Sequence, residues 1–310
     1  MNVQKSAHAL KGSAGLEKAE LAFREALQAE FGPLDWIPEA DGAIHRFHVP
    51  GDRKGARNGW YVLHMGGIAS GAFGSWKASG AWHTWSSRKP TDAQEAELIR
   101  QRIEQAREQR EADRTRQQMT TASYAQHAWS SGYSADSYHP YLVKKRIKPG
   151  RLRQLGDALM VPLYADGCLC NLQRIMPDGT KRFLSGGRLK GTYSPIGTLA
   201  PGQTLYVCEG WATGATIYAE TGAPVACAMT ASNLLEAGRQ LQRCYPDSPL
   251  IIAGDDDRKA EANGKGNPGR TAATKAAAVL GCGLVLPYFP ADAPPNLSDF
   301  NDLAIWRNVQ

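Results

Sequence analysis

No stretch of the chain is apolar for long enough to cross a bilayer, because glycine, proline or a charged residue interrupts every candidate within a few positions. Met1 to Leu16 holds two lysines but no apolar core of the kind a secretory signal needs. A cytoplasmic protein without membrane contact is therefore expected. No Cys-x-x-Cys pair occurs. The six cysteines are scattered at 168, 170, 208, 227, 244 and 282, which leaves a zinc ribbon without ligands, and no zinc is expected. Cys168-x-Cys170 has the spacing of alternate strand positions. Cys208, Cys227 and Cys282 lie in or beside apolar runs and read as buried thiols in a reducing compartment. Gly-x4-Gly-Lys-Ser/Thr is also missing, so a P-loop motor is excluded from these residues.

What is present is enough for two or three modest domains: 310 residues, 42% apolar and 21% charged. The net charge of +6 is unevenly spread. From Pro140 to Ala200 there are eleven Lys or Arg against three Asp, a local +8, whereas Pro201 to Gln310 carries eight basic and eleven acidic residues, a local −3. A basic module beside an acidic one suits a nucleic-acid surface next to a metal-binding surface. An ordinary solvated basic face is the competing reading.

The acidic half is organised around Thr204 to Ala260. Thr204-Leu-Tyr-Val-Cys-Glu209-Gly210 is an apolar run ending in one carboxylate, and Leu250-Ile-Ile-Ala-Gly254-Asp255-Asp256-Asp257 is another ending in three. Both read as buried strands. The spacing predicts helices over Trp211–Glu220, Ala231–Cys244 and Pro268–Leu280, the last with proline near its start and Gly281 beyond its end. Leu234, Leu235, Leu241 and Cys244 are expected to face the sheet. Pro224–Ala228 and Gly283–Leu286 supply two more strands. Strand and helix alternate, which argues an α/β fold with a parallel sheet and helices on both faces. Ligands of such sheets sit beyond the carboxyl ends of the strands. Glu209 and Asp255 to Asp257 should meet there, and carboxylates so gathered call for a hard cation, Mg²⁺ or Mn²⁺. Taken singly, each acid has a bland reading as a solvated turn or strand end; taken in register, they point to a metal site.

This pattern resembles the TOPRIM fold shared by DnaG-type primases, topoisomerases and some nucleases. The family places Glu-Gly after its first strand and Asp-x-Asp after its third, matched here by Glu209-Gly210 and Asp255-Asp256-Asp257. Asp299-Phe-Asn-Asp302 is similar to the acidic segment near the end of primase TOPRIM domains. The resemblance implies a primase of plasmid or phage type, making short RNA primers on a single-stranded DNA template from NTPs by Mg²⁺-dependent nucleotidyl transfer. It implies that Asp255 and Asp257 hold the metal and that Glu209 acts as acid/base or ligand. Asp256 faces away or orients its neighbours, and Asp299 and Asp302 extend the site or fix a turn around Asn301. A TOPRIM nuclease would use the same acids to cleave. A non-catalytic single-strand-binding module of a replication complex would not need them. A topoisomerase would require a tyrosine nucleophile on a large DNA-gating domain, for which the chain has no room. Many relatives carry a helicase in the same polypeptide, so a separate helicase partner is expected, with this chain a short form or a fragment.

The remaining segments read in order. Leu16–Phe31 has helical spacing. Ile44–Val49 and Trp60–Met65 alternate as strands joined by the Gly51–Gly59 turn. Five of the eight tryptophans precede residue 90. With Arg46, Lys54, Arg57 and Lys77 they could stack on single-stranded nucleic acid, but the core of a small α+β module is the stronger reading. His45, His48, His64 and His83 read as ordinary half-buried histidines rather than metal ligands. Residues 1–89 form this module. Residues 90–132 follow as a charged connector, with a helix from Thr91 to about Thr120 that Thr91 caps and a second short helix over Ala122–Gly132. Residues 133–200 form the basic module: a hairpin of Leu159–Tyr164 and Leu169–Ile175 about Asp166-Gly167, then a strand at Lys181–Phe183 after Asp178-Gly179. This part is similar to the subdomain preceding TOPRIM in plasmid and phage primases. That similarity makes Arg174, Lys181, Arg182 and Lys190 candidates for holding template and nucleotides. Residues 201–310 are the catalytic domain in this reading.

Overall fold

The computed structural model describes residues 18–76 and 82–308. The expectations for Met1 to Leu16 and for Lys77 lie outside the described residues. The chain divides into two compact units, residues 1–115 and 116–310.

The first unit carries a helix at 18–31 (α1) and a four-stranded antiparallel sheet of His45–Phe47 (β1), Gly59–His64 (β2), Ser70–Ser75 (β3) and Trp82–Ser86 (β4), in that order. Each strand pairs with the next in the chain, as in a meander. Phe23 and Leu27, one helical turn apart, are fully buried against Phe47, Tyr61, Leu63 and Phe73. Trp60 is fully buried, Trp76 and Trp82 pack beside it, and Trp36 and Trp85 border the other cluster. The tryptophans thus serve the core, as the scarcity of other large apolar residues here demands. Of the histidines, His45 and His64 are half-buried as expected, while His48 and His83 are exposed. His45 stacks on Tyr61, His83 on Phe73, and His48 Nδ1 lies 2.9 Å from the Ala56 carbonyl oxygen.

One helix, Ala93–Ser131 (α2), replaces the two helices expected between 91 and 132. Nothing between Thr120 and Ala122 breaks a helix, and two threonines only weaken one. Its cap is Asp92, whose Oδ1 accepts the Glu95 N–H at 2.8 Å, one residue later than expected. The helix is also less solvated than its balanced charge suggests. In the first unit Ala106 is buried beside Trp60, the Arg110 guanidinium lies 5.3 Å from the Trp60 ring, and Arg102 donates to the carbonyls of Met65, Gly66 and Ile68. In the second unit Ala125 and Ala128 are buried. Alanines and arginine stems make this contact, and neither registers as an apolar stripe.

The second unit holds two five-stranded sheets. The antiparallel one runs Tyr133–Ser134 (β5), Arg153–Leu155 (β6), Ala158–Ala165 (β7), Cys168–Ile175 (β8) and Lys181–Phe183 (β9), with a short helix Pro140–Lys145 (α3) inserted after β5. Asp166 and Gly167 both take positive φ, 50° and 76°, as a two-residue hairpin requires. Strand alternation assigns the faces. Leu159, Val161, Leu163 and Ile175 join the core shared with the other sheet, while Met160, Leu172 and Leu184 face Ala125 and Ala128 of α2.

The other sheet has the order β10-β12-β11-β13-β14: Ser194–Ile196 (β10), Leu205–Cys208 (β11), Val225–Cys227 (β12), Leu250–Ala253 (β13) and Gly283–Val285 (β14). Its four later strands are parallel, and β10 is an antiparallel edge. That edge strand lies inside the stretch read as the basic module. Trp211–Thr221 (α4) and Phe300–Arg307 (α8) pack together, as do Leu234–Cys244 (α5) and Pro268–Leu280 (α7), with Arg258–Ala262 (α6) between β13 and α7. Alternate strand residues feed two cores: Cys208, Val225 and Cys227 with Trp211 and Ile217, and Val207, Ala226 and Ile252 with Leu234, Ala237 and Ala276. Cys244 is exposed rather than turned to the sheet, since the buried stripe of α5 runs Leu234, Ala237, Gly238, Leu241 and the helix ends before its next turn. Among the described residues no helix is long and apolar enough to cross a membrane.

Candidate active site

Glu209 follows β11 and Asp255 to Asp257 follow β13, its direct parallel neighbour, so all four acids leave the same edge of the sheet. The chain holds Glu209 from behind: the Met229 N–H donates to the Glu209 carbonyl at 2.7 Å. Met229 takes a φ of 68°, a conformation uncommon for a residue with a side chain. Gly210 then opens α4, and Gly214 on that helix faces the Cys208 and Cys227 thiols at a distance that admits no Cβ beside Cys227 Sγ. The glycine lets the helix lie close against the strand that carries Glu209.

The aspartates divide by role. Asp256 is turned inward, its Oδ1 accepting from Asn267 Nδ2 at 2.7 Å and from Arg270 at 2.5 Å. Asp257 Oδ2 accepts the Gly269 N–H at 2.8 Å, at the start of α7, where the helix dipole favours negative charge. Asp255 is different: its Oδ1 is buried and has no hydrogen-bond partner. Burial pushes the Asp255 carboxyl up to about 8, helped by repulsion from Glu209, Asp299, Asp257 and Asp302. Burial also raises Glu209, with Asp257 adding repulsion. Asp255 and Glu209 repel each other, and Asp257 and Asp299 add to the repulsion at both.

Asp299 caps α8 by accepting the Asp302 N–H at 2.7 Å, and Asp302 Oδ2 accepts the Ser298 N–H at 3.2 Å. Lys145, from α3, donates to Asp302 Oδ1 at 3.0 Å and lies 3.9 Å from Asp299 Oδ2. Burial works against its ammonium, but Asp299, Asp302 and Asp255 outweigh burial and hold its pKa above the usual lysine value. Burial raises Asp299, and Lys145 partly offsets that rise. Asn301 is buried and bonds the Lys145 carbonyl and Thr216 Oγ1 at 2.8 and 3.0 Å, tying α8 to α3 and α4.

The four basic candidates separate. Lys181 pairs across the sheet with Ile175 and shares its core-facing side. Lys181 is exposed by surface area, but its ammonium lies 5.5 Å from the Tyr141 ring, where partial loss of hydration and Lys145 push its pKa down and Asp299, Glu209 and Asp255 pull it back. Arg174 and Arg182 pair with each other on the opposite face and are exposed. Lys190 stands in a loop, 4.0 Å from Glu236.

Three residues beside the acids carry no motif. Lys145 lies 157 residues before Asp302, so its partnership is invisible along the chain. Asn267 accepts the Asp257 N–H at 2.9 Å and caps α7 through the Arg270 N–H. The Asn267-Pro268 pair has the look of a helix start, a signal that could have found it. Gly269 is the third. A Cβ there would sit 2.9 Å from the Asp255 carbonyl oxygen and 3.0 Å from Asp257 Oδ2. Gly269→Ala should therefore cost about 1–3 kcal/mol and displace Asp257. A lower urea midpoint with weaker Mn²⁺ binding is the expected outcome; a midpoint and affinity equal to wild type would show that the approach tolerates a methyl group.

The residues suit a divalent cation held loosely. Among the described residues only Glu39, Asp41 and His45, in the first unit and largely exposed, bring three ligand atoms within 4.8 Å of one another. The acids at the sheet edge are more widely spread, so they form no closed cage. Mg²⁺ asks for little more: one or two carboxylates, retained waters and substrate phosphates. The unpaired Asp255 Oδ1 in a site rich in negative charge is the feature a cation would answer.

The family comparison agrees with this geometry, matching residues 204–307 to the Toprim domain. The match spans β11 to α8 and so contains Glu209, all three aspartates of the β13 loop, Asp299 and Asp302. Beyond the Toprim domain, two curated Escherichia coli proteins named DNA primase TraC are each 32% identical to this chain. The similarity extends over 277 and 268 residues, 83% and 82% of the chain. The chain spans only 26% and 18% of their own lengths. A solved structure of the primase fragment of the bacteriophage T7 primase-helicase protein aligns with 58% of this chain and 73% of that one, at 17% identity and a TM-score of 0.39.

Proposed function

We propose that this chain is the catalytic part of a DNA primase of plasmid or phage type, joining NTPs into short RNA primers on single-stranded DNA. The observation that carries the reading is the buried, unpaired Asp255 carboxylate among Glu209, Asp257 and Asp299. The likeness of most of the chain to proteins named DNA primase supports it. Glu209, Asp255 and Asp257 would hold Mg²⁺ or Mn²⁺, with Asp299 beside them. The cation supplies charge neutralisation for nucleotide phosphates and for the attacking 3′-hydroxyl. Asp256 is a positioning residue, committed to Asn267 and Arg270. Asp302 is committed to Lys145 and so orients the cation side of the site rather than adding a ligand. Lys181 from β9 and Lys145 from α3 bring positive charge to the acids, where a triphosphate would need it.

Arg174 and Arg182, exposed on the far face of the sheet containing β9, are proposed to hold template phosphates, and Lys190 to add to the same positive field. Replacing Arg174 and Arg182 by alanine should weaken binding of single-stranded DNA about equally for all sequences. The slope of log affinity against log salt should become shallower by roughly 1.4, about 0.7 for each single-strand phosphate no longer neutralised. An unchanged slope would remove these two residues from the template path. A helicase, on another polypeptide or beyond residues 1–310, is the partner that would supply unwound template. The site of action proposed is the cytoplasm.

Incubation with single-stranded DNA, labelled NTPs and Mg²⁺ tests the reading. Short RNA products are expected. Metal-dependent loss of the DNA without RNA synthesis would favour a Toprim nuclease, and neither product would favour a binding module.

A further inference from the structure

A pocket of about 720 Å³ opens between the loop after α3, the edge strand β10 and the helices α4 and α8. That volume suits a small organic ligand. Its floor is apolar, formed by residues such as Ile196, Ala215 and Ile305, with Trp211 and Tyr218 as aromatic walls. Its rim is cationic. Arg146, Lys148 and Arg151 line it and make no ion pair or side-chain hydrogen bond with described residues, while Glu220 is its one acid. Three exposed cations without protein partners on one rim make a positive field that favours an anionic ligand.

Two polar groups in the wall are also unpaired. Trp211 is 3% exposed and its Nε1–H has no acceptor; Asn301 is 2% exposed and its Oδ1 has no donor. Both residues line the pocket. Buried polar atoms of this kind ordinarily find partners. A hydrocarbon would fill the floor and leave both unpaired. Inorganic phosphate would serve the rim and leave the floor empty. A nucleobase brings a flat ring for the aromatic walls and an edge with both donors and acceptors, and its phosphates suit arginine forks.

We propose that this pocket binds a nucleotide, base inward and phosphates on the rim of Arg146, Lys148 and Arg151. The site is separate from the acids and does not require the proposed reaction. Lys145 alone touches both, lining the pocket while pairing with Asp299 and Asp302. The nucleotide can be a free triphosphate or a unit of a single strand, which share this chemistry.

The full chain, in EDTA so that no metal-bound nucleotide competes, is irradiated with 8-azido-ATP or with a single-stranded oligonucleotide carrying 8-azidoadenine. Labelled peptides are then mapped. Label is expected on the segments 211–220 or 300–308, from one probe or both, and the productive probe identifies the source. Ala219→Trp, at an exposed lining position, should fill the floor and reduce labelling at least about tenfold. Lys148→Ala with Arg151→Ala should do the same from the rim, and this pair carries the test should the first variant not fold. No label on these segments from either probe, or label indifferent to the variants, would overturn the proposal. Because no cation and no primer synthesis enter the measurement, its failure is distinct from failure of the primase reading.

Discussion

Asp255→Asn is expected to lower primer synthesis by at least about 10²–10³-fold while leaving the fold intact, the scale seen when one preorganised charge-stabilising group is removed from an active site. The substitution keeps the shape of the side chain and removes its charge. It should also make the cation-free protein more stable, and the sign follows from the carboxyl's environment. Its pKa is about 8 in the folded chain against 3.8 when unperturbed. Between those values the folded state keeps a proton that the unfolded state has released. Stability therefore falls as pH rises through this window, and the loss is complete above about pH 8. In chelator at pH 8.5 the variant should exceed wild type by on the order of 2 kcal/mol, a figure reduced for water reaching the site. The two should converge below about pH 4. Adding Mg²⁺ should raise the wild-type melting temperature and leave that of the variant nearly unchanged. Thermal melts across pH, with and without Mg²⁺, check all three expectations. A variant less stable than wild type at pH 8.5 in chelator would show that Asp255 is held by favourable interactions of its charged form.

Lys145→Ala is expected to cost about 2–3 kcal/mol and to reduce primer synthesis about 100-fold. The lysine is half-buried between Asp299 and Asp302, so its removal leaves two carboxylates facing Asp255 without their cation. The full cost typical of buried pairs is discounted because water reaches this one. Its pKa is raised in the folded state, so the stabilisation is fully present below the unperturbed value of 10.5 and fades as pH rises through the higher folded value. The gap between wild type and variant should hold from pH 7 to 9 and narrow above about 11. Denaturant melts at pH 7, 9 and 11 measure it. A gap that stays the same at pH 11 as at pH 7 would mean the lysine matters through packing rather than charge.

The parallel core of the second unit was legible because its strands are short and punctuated by glycine, and α7 has proline at its start and Gly281 just beyond its end. Glu209 and the aspartate triplet could be placed at one edge because parallel strands all release their chains on the same side. Pairing across the fold was not legible. Lys145 reaches Asp302 only after an antiparallel sheet and most of a parallel one intervene, and no local pattern announces that. Lys181 and Arg182 are neighbours in sequence, yet strand alternation sends one toward the acids and the other away, which only the register with Ile175 and Arg174 decides. The continuous α2 was hidden for another reason. Alanine contributes little to an apolar stripe, so Ala106, Ala125 and Ala128 bury themselves without a periodic signal. Likewise Gly269 is required only because Asp255 and Asp257 happen to approach it.

The central claim is that the acids at this sheet edge hold a catalytic divalent cation. Electron paramagnetic resonance of Mn²⁺ titrated into chelator-stripped protein measures this most directly, since bound ion loses the sharp spectrum of free aqueous Mn²⁺. Wild type should take up the ion saturably, and Asp255→Asn and Glu209→Gln should lose most of that uptake while keeping their secondary structure. Uptake that is the same in wild type and both variants would contradict the claim.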